Sequence, residues 1–224
     1  MSQLPSFDPM QVPVVQIDRD LPAIPVERLT PAALRTRFAA PPLWQPELVR
    51  ERKFLQREPA SAAVLVGVVA REVPTVLLTQ RTAHLSTHSG QVAFAGGKCD
   101  PEDADAAATA LREAHEEIGL AGAHVEVLGQ LPEYITGSAF HVTPVVALVS
   151  PEMRLSPNPH EVQCAFEVPL AFLMNPAHHR WHEHTHDGVA RRWLSMPYQD
   201  GDALRYIWGA TAGMLRNLYR FLSA

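Results

Sequence analysis

Apolar residues fall into two kinds of pattern along this chain. Residues 62–69, Ala-Ala-Val-Leu-Val-Gly-Val-Val, carry no polar side chain and are rich in β-branched positions, which predicts a strand buried on both faces. Residues 76–79 form a second short apolar run after a turn-like stretch at 71–74, and 125–128, 142–149 and 163–168 read as further strands, the last ended by Pro169. Asp187-Gly188 is a hairpin signal joining 181–184 to 191–194. Two segments show helical spacing instead. Ala107, Leu111, Ala114 and Ile118 share one side of a helix over 106–118, with Asp103 or Asp105 as its cap and Gly119 at its end. Ile207, Ala210, Thr211, Met214, Leu215, Leu218 and Leu222 mark a second helix over about 206–222. Strands and helices mix without regular alternation, so an α/β layered domain with a mixed sheet is expected.

The pattern differs upstream. Pro5, Pro9, Pro13, Pro22 and Pro25 stand among scattered apolar residues, as in an extended arm that is either loose or laid over the domain. Thr30-Pro31 opens a short helix to about Phe38, which Pro41-Pro42 ends. Residues 1–45 are therefore expected to be a proline-rich arm with one short helix, and 46–224 the folded domain. The chain has 24 acidic against 19 basic residues, a formal charge of −5, so no global charge favours nucleic acid or an anionic membrane as a partner. Cys99 and Cys164 form no CxxC pair, which argues against a disulfide framework and a cysteine zinc site. No basic-then-apolar leader follows Met1, and no apolar run reaches spanning length, so a reducing cytoplasm is the expected compartment.

The informative chemistry lies on the first of the two long helices. Glu113, Glu116 and Glu117 are spaced i, i+3 and i+4 and are expected together on the side opposite the apolar stripe. Each like-charge pair at this spacing costs about 0.2–0.5 kcal/mol, and carboxylates near a helix C-terminus face the negative end of its dipole. Arg112 offsets part of the repulsion. A hard divalent cation would turn it into coordination; the plain alternative is a solvated acidic helix end. Gly96-Gly97 just upstream favours the cation.

Arg112-Glu113-Ala114-His115-Glu116-Glu117-Ile118-Gly119-Leu120 resembles the second half of the Nudix box, G-x5-E-x7-R-E-U-x-E-E-x-G-U with U aliphatic. The first half departs from it: Gly97 to Arg112 spans 15 positions where the box has 14, and Asp103 stands near the expected glutamate. That extra residue resembles the coenzyme A pyrophosphatase branch of the family. So do Leu77-Leu78-Thr79-Gln80-Arg81, Gly90, Phe94-x-Gly96-Gly97, Glu161-Val162 and Ile207-Trp208-Gly209. Thr82, Ser86 and Ala95 depart from the branch signature, Ser86 most, because it replaces an arginine suited to phosphate.

The resemblance implies a Nudix-type α/β/α sandwich with a mixed β-sheet. It also implies a metal-dependent pyrophosphatase that cleaves the diphosphate of coenzyme A or its derivatives to 3′,5′-ADP and 4′-phosphopantetheine or its acyl form. Another nucleoside diphosphate, such as ADP-ribose or NADH, is the alternative substrate, and a non-catalytic nucleotide-binding protein the less favoured reading. Glu113, Glu116 and Glu117 are implied to hold Mg²⁺ or Mn²⁺ with the Gly96 carbonyl, and Arg112 to orient them. Gly97 lets the backbone approach cation and phosphates, and Lys98 follows it in the same loop as a substrate-side residue. A dimer, with the arm reaching a partner subunit, is a further expectation.

Other residues are read individually. Glu161, in a Pro-Asn-Pro-His loop before a strand, is the candidate base able to swing over the site; otherwise it is a surface glutamate. Arg81 is either a phosphate contact or a structural ion pair. His88 is the histidine best placed for substrate contact, against polar filling. Asp100 and Asp103 are expected to shape the loop or cap the helix. His182, His184 and His186 would share a strand face, and a partly exposed hairpin is favoured there over a zinc site. Trp181, Trp193 and Trp208 are expected in the core or an interface.

Overall fold

The computed structural model describes residues 8–52, 58–82, 90–186 and 188–224. His88, Ser86 and Asp187 lie outside the described residues. The elements in chain order are β1 (Val14–Ile17), α1 (Pro31–Ala39), β2 (Ala60–Val69), β3 (Thr75–Arg81), β4 (Val92–Ala93), β5 (Ala95–Lys98), α2 (Ala106–Ile118), β6 (Val125–Gln130), β7 (Tyr134–Ile135), β8 (Phe140–Val149), β9 (Val162–Pro169), α3 (Leu170–Leu173), β10 (Arg180–His186), β11 (Val189–Asp200), β12 (Ala203–Trp208) and α4 (Gly209–Ser223).

The larger sheet is mixed. Strand β2 runs parallel to β8 along its whole length, while β3, β5, β6 and β9 join antiparallel. The unbroken apolar run of β2 is explained by burial on both faces. Ala62, Val66 and Val68 join one core, and Ala63, Leu65 and Val69 the other. The second core lies under α2, where Ala110, Ala114 and Ile118 are fully buried. The first lies under α4. Helix, mixed sheet and helix thus form the expected layers.

A further layer was not foreseen. Strands β1, β10, β11 and β12 form a separate four-stranded sheet, antiparallel throughout, that packs on α4. This changes the expected helix over 206–222. Tyr206, Ile207 and Trp208 are the end of β12, paired with Pro197, Met196 and Ser195, and the helix begins at Gly209, whose φ of 59° breaks the strand. Because α4 lies between two sheets it is buried almost all round, so Arg216 and Asn217 are covered along with the apolar stripe.

The described part of the proline-rich arm is laid over the molecule. Strand β1 pairs with β10, and Asp18 just after it accepts a hydrogen bond from Trp181 Nε1 (2.9 Å) and forms an ion pair with Arg216 Nη2 (3.0 Å). Arg216 also pairs with Glu47 (2.7 Å) and donates to His179 Nδ1 (2.9 Å), so one guanidinium ties the arm to the last helix.

Candidate active site

Strand β5 and helix α2 build the site together. Asp105 caps α2 by accepting from the Ala108 N–H (2.8 Å), and Gly119, at φ 68°, closes its far end. Glycine is required at both positions of β5, at Gly96 by the backbone of β2 and at Gly97 by Glu113 of α2. A Cβ on Gly96 would lie 2.7 Å from Val64 Cα and overlap the Ala63 carbonyl; on Gly97 it would overlap the carboxylate of Glu113. The Gly-Gly pair is thus a seat in which backbone and carboxylate touch.

The three glutamates do not share one exposed side as expected. Measured at 100° per residue, Glu117 stands about 40° from Glu113 towards Ala110 and Ala114, while Glu116 stands about 60° the other way. Accordingly Glu117 is only 3% exposed, Glu113 is half-buried and Glu116 is exposed. Glu117 Oε2 accepts the Gly96 N–H (3.2 Å), and Oε1 faces Arg81 Nη1 at 3.4 Å. Arg81 Nε is buried with no hydrogen-bond partner among the described residues. Arg81 therefore makes the ion pair foreseen as one of its two roles and keeps a donor to spare.

Arg112 is the hub on the other side. Its Nη1 donates to Glu113 Oε1 (3.0 Å) and Glu116 Oε2 (3.1 Å), and its Nη2 to the Lys98 carbonyl (3.0 Å). Its Nε and Nη2 form a fork on Asp103 (3.0 and 2.9 Å). Asp103 also accepts from the Asp100 N–H and from Thr109 Oγ1, so it shapes the loop and anchors the arginine, while the cap falls to Asp105. Lys98 itself is exposed and contributes its carbonyl.

Glu161 reaches the same place from β9. The chain before it, 150–161, clasps the C-terminal end of α2, with the Ser156 and Asn158 N–H groups donating to the carbonyls of Ile118 and Glu117 (both 2.8 Å). Glu161 is held by its own N–H to the Asn158 carbonyl and by its carbonyl to the Thr82 N–H (both 3.0 Å). Its main chain is therefore held next to the C-terminal end of α2, and its carboxylate adds to the charge felt by Glu113 and Glu117.

The electrostatics follow. Burial pushes the Glu117 carboxyl up to about 7; the Gly96 N–H and Arg81 oppose this, and Glu113 and Glu161 add to it. Burial also raises Glu113, against the pull of Arg112 and with the push of Glu116 and Glu161. The hydrogen bonds of Arg112, ahead of the Asp100 N–H, hold Asp103 well below the usual carboxylate range.

Among the described residues no three of His, Cys, Asp and Glu stand as a closed ligand cluster. The positive charge facing the carboxylates is that of Arg112 and Arg81. The donor set nonetheless fits a hard divalent cation, because it offers only oxygen, two of its carboxylates are raised by crowding and burial, and the Gly97 seat admits no side chain. On the histidine strand both ring nitrogens of His182 are engaged, by the Val12 carbonyl (2.9 Å) and Ser195 Oγ (2.8 Å), so that imidazole has no free nitrogen for a metal.

A helix bearing Arg-Glu-x-x-Glu-Glu, wedged against a Gly-Gly strand of a mixed sheet, places this molecule among the Nudix hydrolases. The NUDIX domain model matches residues 59–197, and the chain belongs to that family of pyrophosphohydrolases, which use divalent metal ions. Within the family it is similar to Nudix hydrolase NudL of Yersinia enterocolitica, at 40% identity over 179 residues, 77% of this chain and 90% of the other. NudL of Yersinia pestis (strain Pestoides F) is also 40% identical, over 72% of this chain and 79% of its own. A solved Caenorhabditis elegans Ap4A hydrolase complex overlaps 49% of this chain and 80% of its own, with a TM-score of 0.42 at 21% identity. Among the described residues no helix is long and apolar enough to cross a membrane.

Sequence reasoning missed two participants. Thr109, fully buried, braces Asp103, and Asn158 joins Glu117 to Glu161. By spacing Thr109 stands on the glutamate side of α2, so the apolar stripe gave no signal of its burial; for the second there was none beyond its loop.

Proposed function

We propose that the chain hydrolyses the diphosphate of coenzyme A or its acyl derivatives, releasing 3′,5′-ADP and 4′-phosphopantetheine or its acyl form. The observation that carries the hydrolytic part is the contact of Glu113 and Glu117 with the Gly96-Gly97 backbone. The coenzyme A part is supported by the branch-like residues that line the same strands, Leu77 to Arg81 and Phe94 to Gly97.

In this reading Glu113, Glu116, Glu117 and the Gly96 carbonyl hold Mg²⁺ or Mn²⁺. Once bound, the cation supplies positive charge to the diphosphate and acidity to a water. Glu161 accepts the proton of the attacking water. Arg81, whose guanidinium is part-exposed beside Glu117, offers an N–H to a phosphate oxygen. Gly97 keeps the backbone open to the phosphates, and Lys98 adds an exposed cation at the rim. His88 is the remaining substrate contact. Arg112 stays bound to Asp103 and orients Glu113 and Glu116. No protein nucleophile is needed, because phosphoryl transfer depends mainly on position and charge.

Ser86 in place of the signature arginine favours ADP-ribose as the second reading. The test is hydrolysis of coenzyme A, acetyl-coenzyme A, ADP-ribose and NADH with Mg²⁺ or Mn²⁺, with products identified by mass spectrometry. A higher kcat/KM on coenzyme A is expected. An equal or higher value on ADP-ribose rejects the coenzyme A assignment, and no turnover of any of the four rejects the hydrolytic role.

A further inference from the structure

Asn158 is the residue that joins the two halves of the site. Its backbone N–H donates to the Glu117 carbonyl (2.8 Å) at the end of α2, and its carbonyl accepts the N–H groups of Glu161 (3.0 Å) and Val162 (2.8 Å) at the start of β9. The two ends of its side chain do different things. Oδ1 accepts the His160 N–H (3.1 Å) and shapes the turn, while Nδ2 donates to Glu161 Oε1 (3.2 Å).

We propose that Asn158 is a positioning residue, which aims the Glu161 carboxylate at Glu113 and Glu117 through the bond from Nδ2 to Oε1. The inference rests on the role given to Glu161 above. Glu113 is oriented by Arg112 and Glu117 faces Arg81, but among the described residues no guanidinium or ammonium lies within ion-pair distance of Glu161. An amide fills this role without adding charge. It fixes a rotamer and occupies one carboxylate oxygen, leaving the other to accept. A cation in its place would compete with a divalent ion and lower the basicity of the group meant to take a proton. The same residue holds the main chain on both sides of the cluster, so the spacing of Glu117 and Glu161 is set by one short segment.

The two ends of the amide can be separated experimentally. Asn158→Asp keeps an acceptor for His160 and loses the donor; Asn158→Ser keeps a hydroxyl acceptor but is too short to reach Glu161 Oε1, and adds no charge. Each is made in the natural chain and with Glu161→Gln, and kcat, KM and melting temperature are measured on coenzyme A and ADP-ribose with Mn²⁺. Both single variants are expected to melt within a few degrees of the natural chain, lose about 10–100-fold in kcat with KM little changed, and cost nothing further beside Glu161→Gln. A readout without turnover is the side-chain amide NMR signal of Asn158, which is expected to shift on Glu161→Gln. An unaltered kcat, an equal loss when Glu161→Gln is already present, or an unmoved amide signal overturns the inference. Full activity of Glu161→Gln alone removes the role of Glu161 and this inference with it. A slow Glu161→Gln beside fast Asn158 variants removes only the inference.

Discussion

Replacing each of the paired glycines by alanine is expected to give two different failures. At Gly96 the new methyl meets main chain, 2.7 Å from Val64 Cα and over the Ala63 carbonyl, atoms held in the β2–β5 and β2–β8 ladders. Nothing flexible is available to move, so the strands must part, at a cost of about 2 kcal/mol. For a chain of this size that is a fall of roughly 4–8 °C in melting temperature. At Gly97 the methyl meets only the tip of Glu113, with Oε2 2.6 Å away. A side-chain tip can swing aside, so stability is expected to change by less than about 1 kcal/mol. The displaced carboxylate, however, is one that the site depends on, and a shift of about 1 Å in such a group costs on the order of 100-fold in rate. The assay is a thermal melt of each variant, together with kcat on the diphosphate that the substrate screen identifies and Mn²⁺ affinity by calorimetry. Gly97→Ala should melt close to the natural chain with activity and Mn²⁺ binding both reduced. If it retained activity within a factor of three, the seat under Glu113 would have no catalytic meaning. Equal melting losses in the two variants would refute the distinction between main-chain and side-chain overlap.

Glu117→Gln is expected to keep the fold and lose at least about 100-fold in kcat, measured as for the glycine variants. Burial pushes His179 down to about 4, and its neutral ring donates from Nε2 to the Leu173 carbonyl and accepts from Arg216 at Nδ1. The unfolded chain therefore binds the extra proton, and stability should fall as pH drops from about 6.5 to 4, by about 2 kcal/mol at pH 5; urea midpoints should show this slope, and His179→Gln should flatten it. Arg216→Met leaves Asp18 and Glu47 without their shared cation and should cost about 3–5 kcal/mol in urea unfolding. Asp103→Ala releases the Nε side of Arg112 and should lower kcat about tenfold while the helix signal in circular dichroism persists.

The elements that carry the site were legible because their patterns are local. The helix over 106–118 follows from its spacing, its cap and Gly119, and β2 from a run that only double-sided burial explains. The phase of that helix also held more than was taken from it. Glu117 lies on the flank next to Ala110 and Ala114, so its burial was implied by the same periodicity that defined the stripe. The boundary at 206–209 failed for a physical reason: Tyr206, Ile207 and Trp208 suit a strand, and the decision rests on pairing with β11, which no local window contains. The second sheet is non-local in the same way, since β1 pairs with β10 more than 160 residues away. Asp18, Glu47, His179 and Arg216 are scattered in sequence and meet only in the folded molecule. Asn158 gave no pattern at all, because its importance is a matter of hydrogen-bond geometry.

The clasp between Asp18 and Arg216 has a consequence for biosynthesis. A ribosome delivers Val14 to Ile17 early, and their hydrogen-bonding partner in β10 emerges only much later, with Arg216 later still. Until then the backbone of Val14 to Ile17 has no pairing partner, and the nascent chain carries an open β-template while the Nudix core is assembling. The Asp18–Arg216 contact thus waits on α4, and a stall in translation before Arg216 should leave a chain whose early segment is sensitive to protease and to holdase chaperones.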